Sequence, residues 1–313
     1  MRVLVAPDKF AGTLTAVEAA EAIAEGWRRR SPGDEIDLAP MSDGGPGFVD
    51  VLHAATGGDL VVVTVTGPLG EPTPATLLLS GDTAYVESAQ ACGVHLTGAE
   101  GVELATTVGV GQLVAAAVDA GATTVVVGLG GSGTNDGGAG LLHALGARAD
   151  RRLDAGPLGL ADVTSVDLAP ARERLAGVRL VAASDVDSPL TGLFGATKTF
   201  GPQKGLEEGR VALVDGLLEQ LAVATDRRLS LEKGAGAAGG ANTNFILETR
   251  LFGRVDVDID IHLDVGPTTD DMDIYLVCEL TEKNGWGGRV EIGHGSKYSN
   301  LPPVQLRELG TRL

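Results

Sequence analysis

The sequence is poor in cysteine, aromatics and positive charge. Its 313 residues include two cysteines, Cys92 and Cys278, and eleven aromatic side chains. Two cysteines so far apart form neither a disulfide framework nor a metal-binding cluster, which fits a reducing cytosol. Only 24 Lys and Arg stand against 42 Asp and Glu, giving a net charge of −18 and a pI near 4.6. A field of that sign repels nucleic acid and anionic membranes, so neither is expected as a partner. It also repels a nucleotide, so a phosphate site must be locally positive or use Mg²⁺. No apolar run reaches the roughly 20 residues that span a bilayer. Met1-Arg2-Val3-Leu4-Val5-Ala6 reads directly as a strand, with no signal-peptide pattern. The expected location is cytoplasmic. The five histidines are scattered, and neither a Ser/His/Asp order nor an HExxH pattern occurs.

Glycine, in contrast, is abundant at 46 residues. Thirteen residues concentrate it: Gly128-Leu129-Gly130-Gly131-Ser132-Gly133-Thr134-Asn135-Asp136-Gly137-Gly138-Ala139-Gly140. The β-branched run Thr123 to Val127 precedes them and the apolar run Leu141 to Leu145 follows, so a strand feeds a glycine loop that feeds a helix. Such a loop brings backbone N–H groups close to a ligand, and a helix N-terminus suits phosphate. Ser132, Thr134 and Asn135 add polar side chains, and Asp136 adds a carboxylate able to hold Mg²⁺.

The same pattern of strand, loop and helix recurs. Arg2 to Ala6 reads as a strand ending in Pro7-Asp8-Lys9-Phe10-Ala11-Gly12-Thr13. Thr15 and Glu18 form a capping box. The helix after them has an apolar face of Val17, Ala20, Ile23, Ala24 and Trp27 and a basic end, Arg28-Arg29-Arg30. Glu35 to Ala39 precedes Pro40-Met41-Ser42-Asp43-Gly44-Gly45-Pro46-Gly47, and a helix begins at Phe48. In open α/β sheets, loops at the carboxyl ends of strands hold the ligand, which singles out Asp8, Lys9 and Asp43. Leu60 to Thr66, Ala84 to Glu87 and Val178 to Ala183 read as further strands, and Gly109 to Ala120 and Glu207 to Thr225 as helices. Asp185 and Asp187 after the last strand suit either Mg²⁺ or a turn. Lys198 and Lys204 are cations able to offset phosphate charge.

The sequence approaches two nucleotide-binding motifs. Gly192 to Thr199 resembles a P-loop but has Thr197 where glycine must precede the lysine. Gly128-x-Gly130-x-x-Gly133 matches a dinucleotide fingerprint with Asp150 about 20 residues on, yet Gly137, Gly138 and Gly140 fall where its helix should run. A nicotinamide-dependent oxidoreductase is the reading that match leaves.

Five segments in order resemble the bacterial glycerate kinase family: Pro7-Asp8-Lys9-Phe10-x-Gly12-Thr13, Asp43-Gly44-Gly45, Gly130-Gly131-Ser132-x-Thr134-Asn135-Asp136-Gly137-Gly138, Pro202-Gln203-Lys204-Gly205 and Gly234 to Gly240. The resemblance covers about residues 1–240. It implies ATP-dependent phosphorylation of D-glycerate with Mg²⁺, on two α/β domains around a cleft. One would be a Rossmann-like parallel sheet made from both chain ends, the other an inserted α/β domain. The expected roles are catalysis by Asp8, Lys9 and Asp43, and phosphate binding by Gly130, Gly131, Ser132, Thr134, Asn135, Gly137 and Lys204. Gly44, Gly45 and Gln203 would bind substrate, and Asp136 and Asp185 the metal. The family usually has lysine where Ala11 stands and glutamate where Pro46 stands.

The expected parts are 1–68, the start of the Rossmann-like domain; 69–240, the inserted domain; and 241–313, an atypical strand-rich segment. No alanine follows Ala241, and Val255 to Asp264 alternates as a strand with one acidic face, most simply the solvated side of an antiparallel edge. Ile274 to Leu280 reads as another strand. An unpaired sheet edge would favour a homodimer. A catalytically impaired binding homologue is the alternative that this unusual tail raises.

Overall fold

The computed structural model describes residues 1–240, apart from Ala11, Ala99, Glu100 and Asp185, and then 259–262, 278–279, 290–293, 302 and 304–305. Residues 1–253 form one compact unit and 254–313 another.

In the first unit, Arg2–Val5 (β1) runs into Ala16–Arg30 (α1), and Glu35–Leu38 (β2) into Phe48–Thr56 (α2). β1 and β2 pair in parallel, Arg2 opposite Glu35 and Val5 opposite Leu38. The capping box at α1 is complete: Glu18 N–H donates to Thr15 Oγ1 at 3.1 Å, and Thr15 N–H to Glu18 Oε2 at 2.9 Å. The buried face of α1 is narrower than expected. Ala16, Ala19, Ala20 and Ala24 are enclosed, while Ile23 and Trp27 are exposed. Alanines allow close packing, and the indole is turned outward, donating to Asp34.

The chain then builds a five-stranded mixed sheet. Its strands are Asp59–Thr66 (β3), Pro72–Ser80 (β4), Thr83–Glu87 (β5), Thr124–Gly128 (β6) and Arg179–Ala183, which follows the two-residue strands Arg148–Ala149 (β7) and Val166–Asp167 (β8) and is therefore β9. The order is β3-β4-β5-β6-β9, antiparallel through the first three and parallel through the last three. β4 was not anticipated: Pro72 and Pro74 argue against a strand. β3, expected before the boundary at 68, lies within this sheet. Helices Ala89–Cys92 (α3), Val94–Thr97 (α4), Val108–Asp119 (α5), Ala139–Ala144 (α6), Ala169–Arg174 (α7), Ala196–Phe200 (α8) and Glu208–Thr225 (α9) accompany it. One core joins Val86, Val125 and Val127 of the sheet to Leu113 of α5, Leu141 of α6 and Leu217, Leu218 and Leu221 of α9.

In the second unit, Ile259–His262 (β10) pairs with Val290–Gly293 (β11). The pairing is parallel, not the antiparallel edge expected of the acidic ladder, most of which lies outside the described residues. At Cys278 and Glu279 the backbone is helical rather than extended.

Removing the α1 cap with Thr15→Ala is expected to cost about 1 kcal/mol in urea unfolding; an unchanged midpoint would show that the cap contributes nothing.

Candidate functional site

Register sets the site. Glu87, Gly128 and Ala183, the last residues of three adjacent parallel strands, lie side by side. The loop after β6 therefore leaves the sheet between two other strand ends. Leu129 N–H donates to Ala183 O and Gly130 N–H to Gly44 O, both at 3.0 Å. The second contact ties the glycine loop to the one carrying Asp43. There is no room for side chains here. A Cβ on Gly44 would stand 2.7 Å from Ala183 O, and one on Gly130 2.7 Å from both N and Cα of Gly45.

Asp43 is half-buried at this crossing. Its Oδ1 accepts from Lys9 Nζ at 2.8 Å and from Gly45 N–H at 2.9 Å. Lys9 also lies 3.7 Å from Asp8, and its N–H donates to Asp8 at 2.6 Å. Burial raises the Asp43 carboxyl, but the Lys9 and Gly45 hydrogen bonds outweigh it and hold the group below its ordinary value. Asp43 is thus an anion at neutral pH. The structure joins all three residues expected to be catalytic.

Beside Asp43 lies a pocket of about 390 Å³ that includes Gly130, Gly131, Ser132, Gln203 and Lys204 in its wall. Lys204 is only 4% exposed. Its Nζ donates to Thr134 O at 2.7 Å, and burial pushes its pKa down to about 8. A buried ammonium in the wall of a pocket is a concentrated positive charge in a chain this acidic. Cys92 lies beneath the loop with its Sγ 4.0 Å from Ser132 Oγ. Burial pushes its thiol up to about 11, so it is unreactive.

Other expected loop ligands belong to the scaffold. Asp136 is wholly buried. It accepts from Thr107 N–H (2.8 Å) and Oγ1 (2.9 Å), Thr106 Oγ1 (3.4 Å), Gly138 N–H (3.0 Å) and Gly140 N–H (3.1 Å). Burial nevertheless holds its pKa above the usual range. A carboxylate so enclosed orders the loop, and it is not part of the pocket wall. Asn135 donates to Thr197 Oγ1 at 2.9 Å, Gly137 N–H to Gly239 O at 3.0 Å, and Thr134 supplies the carbonyl that holds Lys204. Asp185 lies outside the described residues. Among the described residues, no group of three or more His, Cys, Asp or Glu side chains is placed to hold a metal.

Two further residues support the site. Buried Glu87 accepts from Gly47 N–H at 3.1 Å and Val49 N–H at 3.4 Å, so it caps α2 from the sheet and steadies the Asp43 loop. Burial raises its carboxyl despite those bonds. Its only sequence signal was its place at a strand end. Gly239, φ 72°, packs where a Cβ would stand 2.1 Å from Thr134 O, which explains the Gly234 to Gly240 segment. The dinucleotide reading fails: Gly137 and Gly138 have φ of 66° and 76°, and the helix starts only at Ala139.

A glycine loop, a buried lysine and an ion-paired aspartate thus meet at the parallel strand ends of an α/β fold. The chain belongs to the glycerate kinase family, whose model matches residues 3–274. The match thus runs past Gly240, where the resemblance was expected to stop. It is 39% identical to the glycerate kinase of Bacillus subtilis over 293 residues, covering 89% of this chain and 76% of that one. It is also 39% identical to the glycerate kinase of Haemophilus influenzae over 323 aligned residues, covering 98% and 85%. The crystal structure of putative glycerate kinase 2 from Salmonella typhimurium superposes with a TM-score of 0.70 at 32% identity, covering 93% of this chain and 86% of that one. Among the described residues, no helix is long and apolar enough to cross a membrane.

Asp136→Ala is expected to lower the unfolding free energy by at least about 2 kcal/mol, because several buried donors lose their acceptor. Full stability with lost turnover would instead restore a direct role for Asp136.

Proposed function

We infer that this protein transfers the γ-phosphoryl group of ATP to a hydroxyl of glycerate. Family membership together with the Lys9–Asp43 pair beside the Lys204 pocket carries the reading. Phosphoryl transfer needs positioned reactants and neutralised charge more than covalent help. Lys204 and the N–H group of Gly131 hold the transferring phosphate, with Gly130 shaping the wall and Ser132 beside them. Gly44 and Gly45 shape the acceptor's seat, and Gln203 hydrogen-bonds the acceptor. Both hydrogen bonds to Asp43 fall on Oδ1, so Oδ2 meets the substrate hydroxyl. That oxygen takes the proton as the hydroxyl oxygen bonds to phosphorus, the bond to the bridging oxygen breaks, and ADP leaves. Lys9 fixes Asp43, and Asp8 fixes Lys9. The enclosed Asp136 does not fit Mg²⁺. The metal would come with the nucleotide's phosphates, its usual partners, and no step here depends on a protein ligand to it.

The separation of the β1–β2 pair from the five-stranded sheet supports a two-part α/β division, with β1, β2, α1 and α2 beginning a Rossmann-like part. In this reading β3 goes with the inserted part, and the boundary falls before Asp59 rather than at 68. The match over residues 3–274 favours an active kinase over an impaired homologue.

Purified protein with Mg-ATP and D-glycerate should release ADP only when glycerate is present; a folded sample without turnover would overturn the reading. Asp43→Asn should lower kcat by about 100-fold or more, and an unaffected kcat would remove Asp43 from the chemistry. kcat/KM should fall as pH rises through about 8, where Lys204 loses its charge. Stability should move the other way. The unfolded lysine keeps its proton to about 10.5, so the folded protein gains stability between those two values. A Lys204→Met variant retaining the wild-type pH profile would contradict the assignment.

A further inference from the structure

A second pocket, of about 420 Å³, has Lys9 but not Asp43 in its wall. That volume is in the range of small-molecule sites, about 300–1,000 Å³. Its wall comes from the loops after β1 and β2 and the first turns of α1 and α2, outside the carboxyl ends of two parallel strands, where open α/β sheets bind ligands. We propose that this pocket receives the uncharged nucleoside of the phosphoryl donor. The proposal rests on the kinase reading above.

Charge decides the occupant. Asp8, Glu18 and Asp50 line the pocket, and Lys9 is the one cation among its described lining residues. Lys9 is already engaged by Asp43 at 2.8 Å and Asp8 at 3.7 Å. Such a wall repels the carboxylate of glycerate and the phosphates of ATP alike. It accepts hydrogen bonds from neutral hydroxyls, which a ribose supplies. Leu14, Met41, Pro46 and Val51 add apolar surface suited to the face of a base. The anionic parts belong to the other pocket, where Lys204 is buried.

The two pockets also adjoin in the right place. Lys9 lines this one and Asp43 the other. Pro46 lies against the glycine loop so closely that a Cβ on Gly131 would stand 2.8 Å from Pro46 Cδ. A donor seated by its nucleoside here therefore runs its phosphates past Lys9 and Gly131 toward Lys204.

The test fills the pocket and reads the two substrates separately. Met41→Trp and Thr13→Trp each place a bulky ring in it; Thr13 is on an exposed turn, so that variant serves if Met41→Trp does not fold. Both should raise the KM for ATP at least about tenfold and leave the KM for glycerate within about twofold. Adenosine, the uncharged probe, should bind the wild type in calorimetry and lose that binding in the variants. A raised KM for glycerate with ATP unaffected, no KM change in folded variants, or equal adenosine binding throughout would overturn the proposal. If the wild type shows no glycerate-dependent turnover, the kinase reading fails, and the adenosine titrations still decide what this pocket holds.

Discussion

Three pieces of backbone meet within the first unit with no space for side chains between them. The Asp43 loop, the loop leaving β6 and the end of β9 touch through Gly44, Gly130 and Ala183, and a Cβ on either glycine would collide with backbone atoms at 2.7 Å. Hydrogen bonds close the same junction, from Gly130 to Gly44 and from Leu129 to Ala183. Everything proposed for the site depends on this contact. It brings an aspartate from one strand-end loop beside the glycine loop and lysine pocket of another sheet. Asp136 beneath and Glu87 beside it hold the two loops in shape by accepting backbone N–H bonds.

Charge is distributed with corresponding economy. The chain carries a net charge of −18, so it binds anions only where it places cations individually. Lys9 is used to keep Asp43 ionised and oriented. Lys204 is buried, where an ammonium is costly to desolvate, and its depressed pKa records that cost. The same burial makes its field strong within the pocket, because little water screens it. An acidic surface around two placed lysines favours binding at one point over adsorption elsewhere.

Much of this was legible in the sequence. The capping box at Thr15 and Glu18 and the β6–loop–α6 unit have local causes, and they formed within a residue or two of expectation. Asp8, Lys9 and Asp43 could be chosen because strand-end loops hold ligands, and they do meet. Roles within the glycine loop could not be divided in advance. Ser132 faces the pocket, while Thr134, Asn135 and Asp136 are turned inward, and that depends on Thr107, Thr197 and Lys204, distant in sequence. β4 was missed because Pro72 and Pro74 lie in a strand next to the edge strand β3. The partly exposed Trp27 shows the limit of periodicity: apolar spacing gives a face, but alanines let the helix pack more closely on a narrower one.

The most direct measurement is glycerate-dependent ADP release by Gly130→Ala beside the wild type, with stability measured on both. The φ of Gly130 is outside the left-handed region, so alanine adds a steric demand alone. The account predicts a folded protein whose turnover falls by about 100-fold, because the Asp43 loop is pushed out of place. Wild-type turnover in the folded variant would show that the junction of the two loops does not build the site.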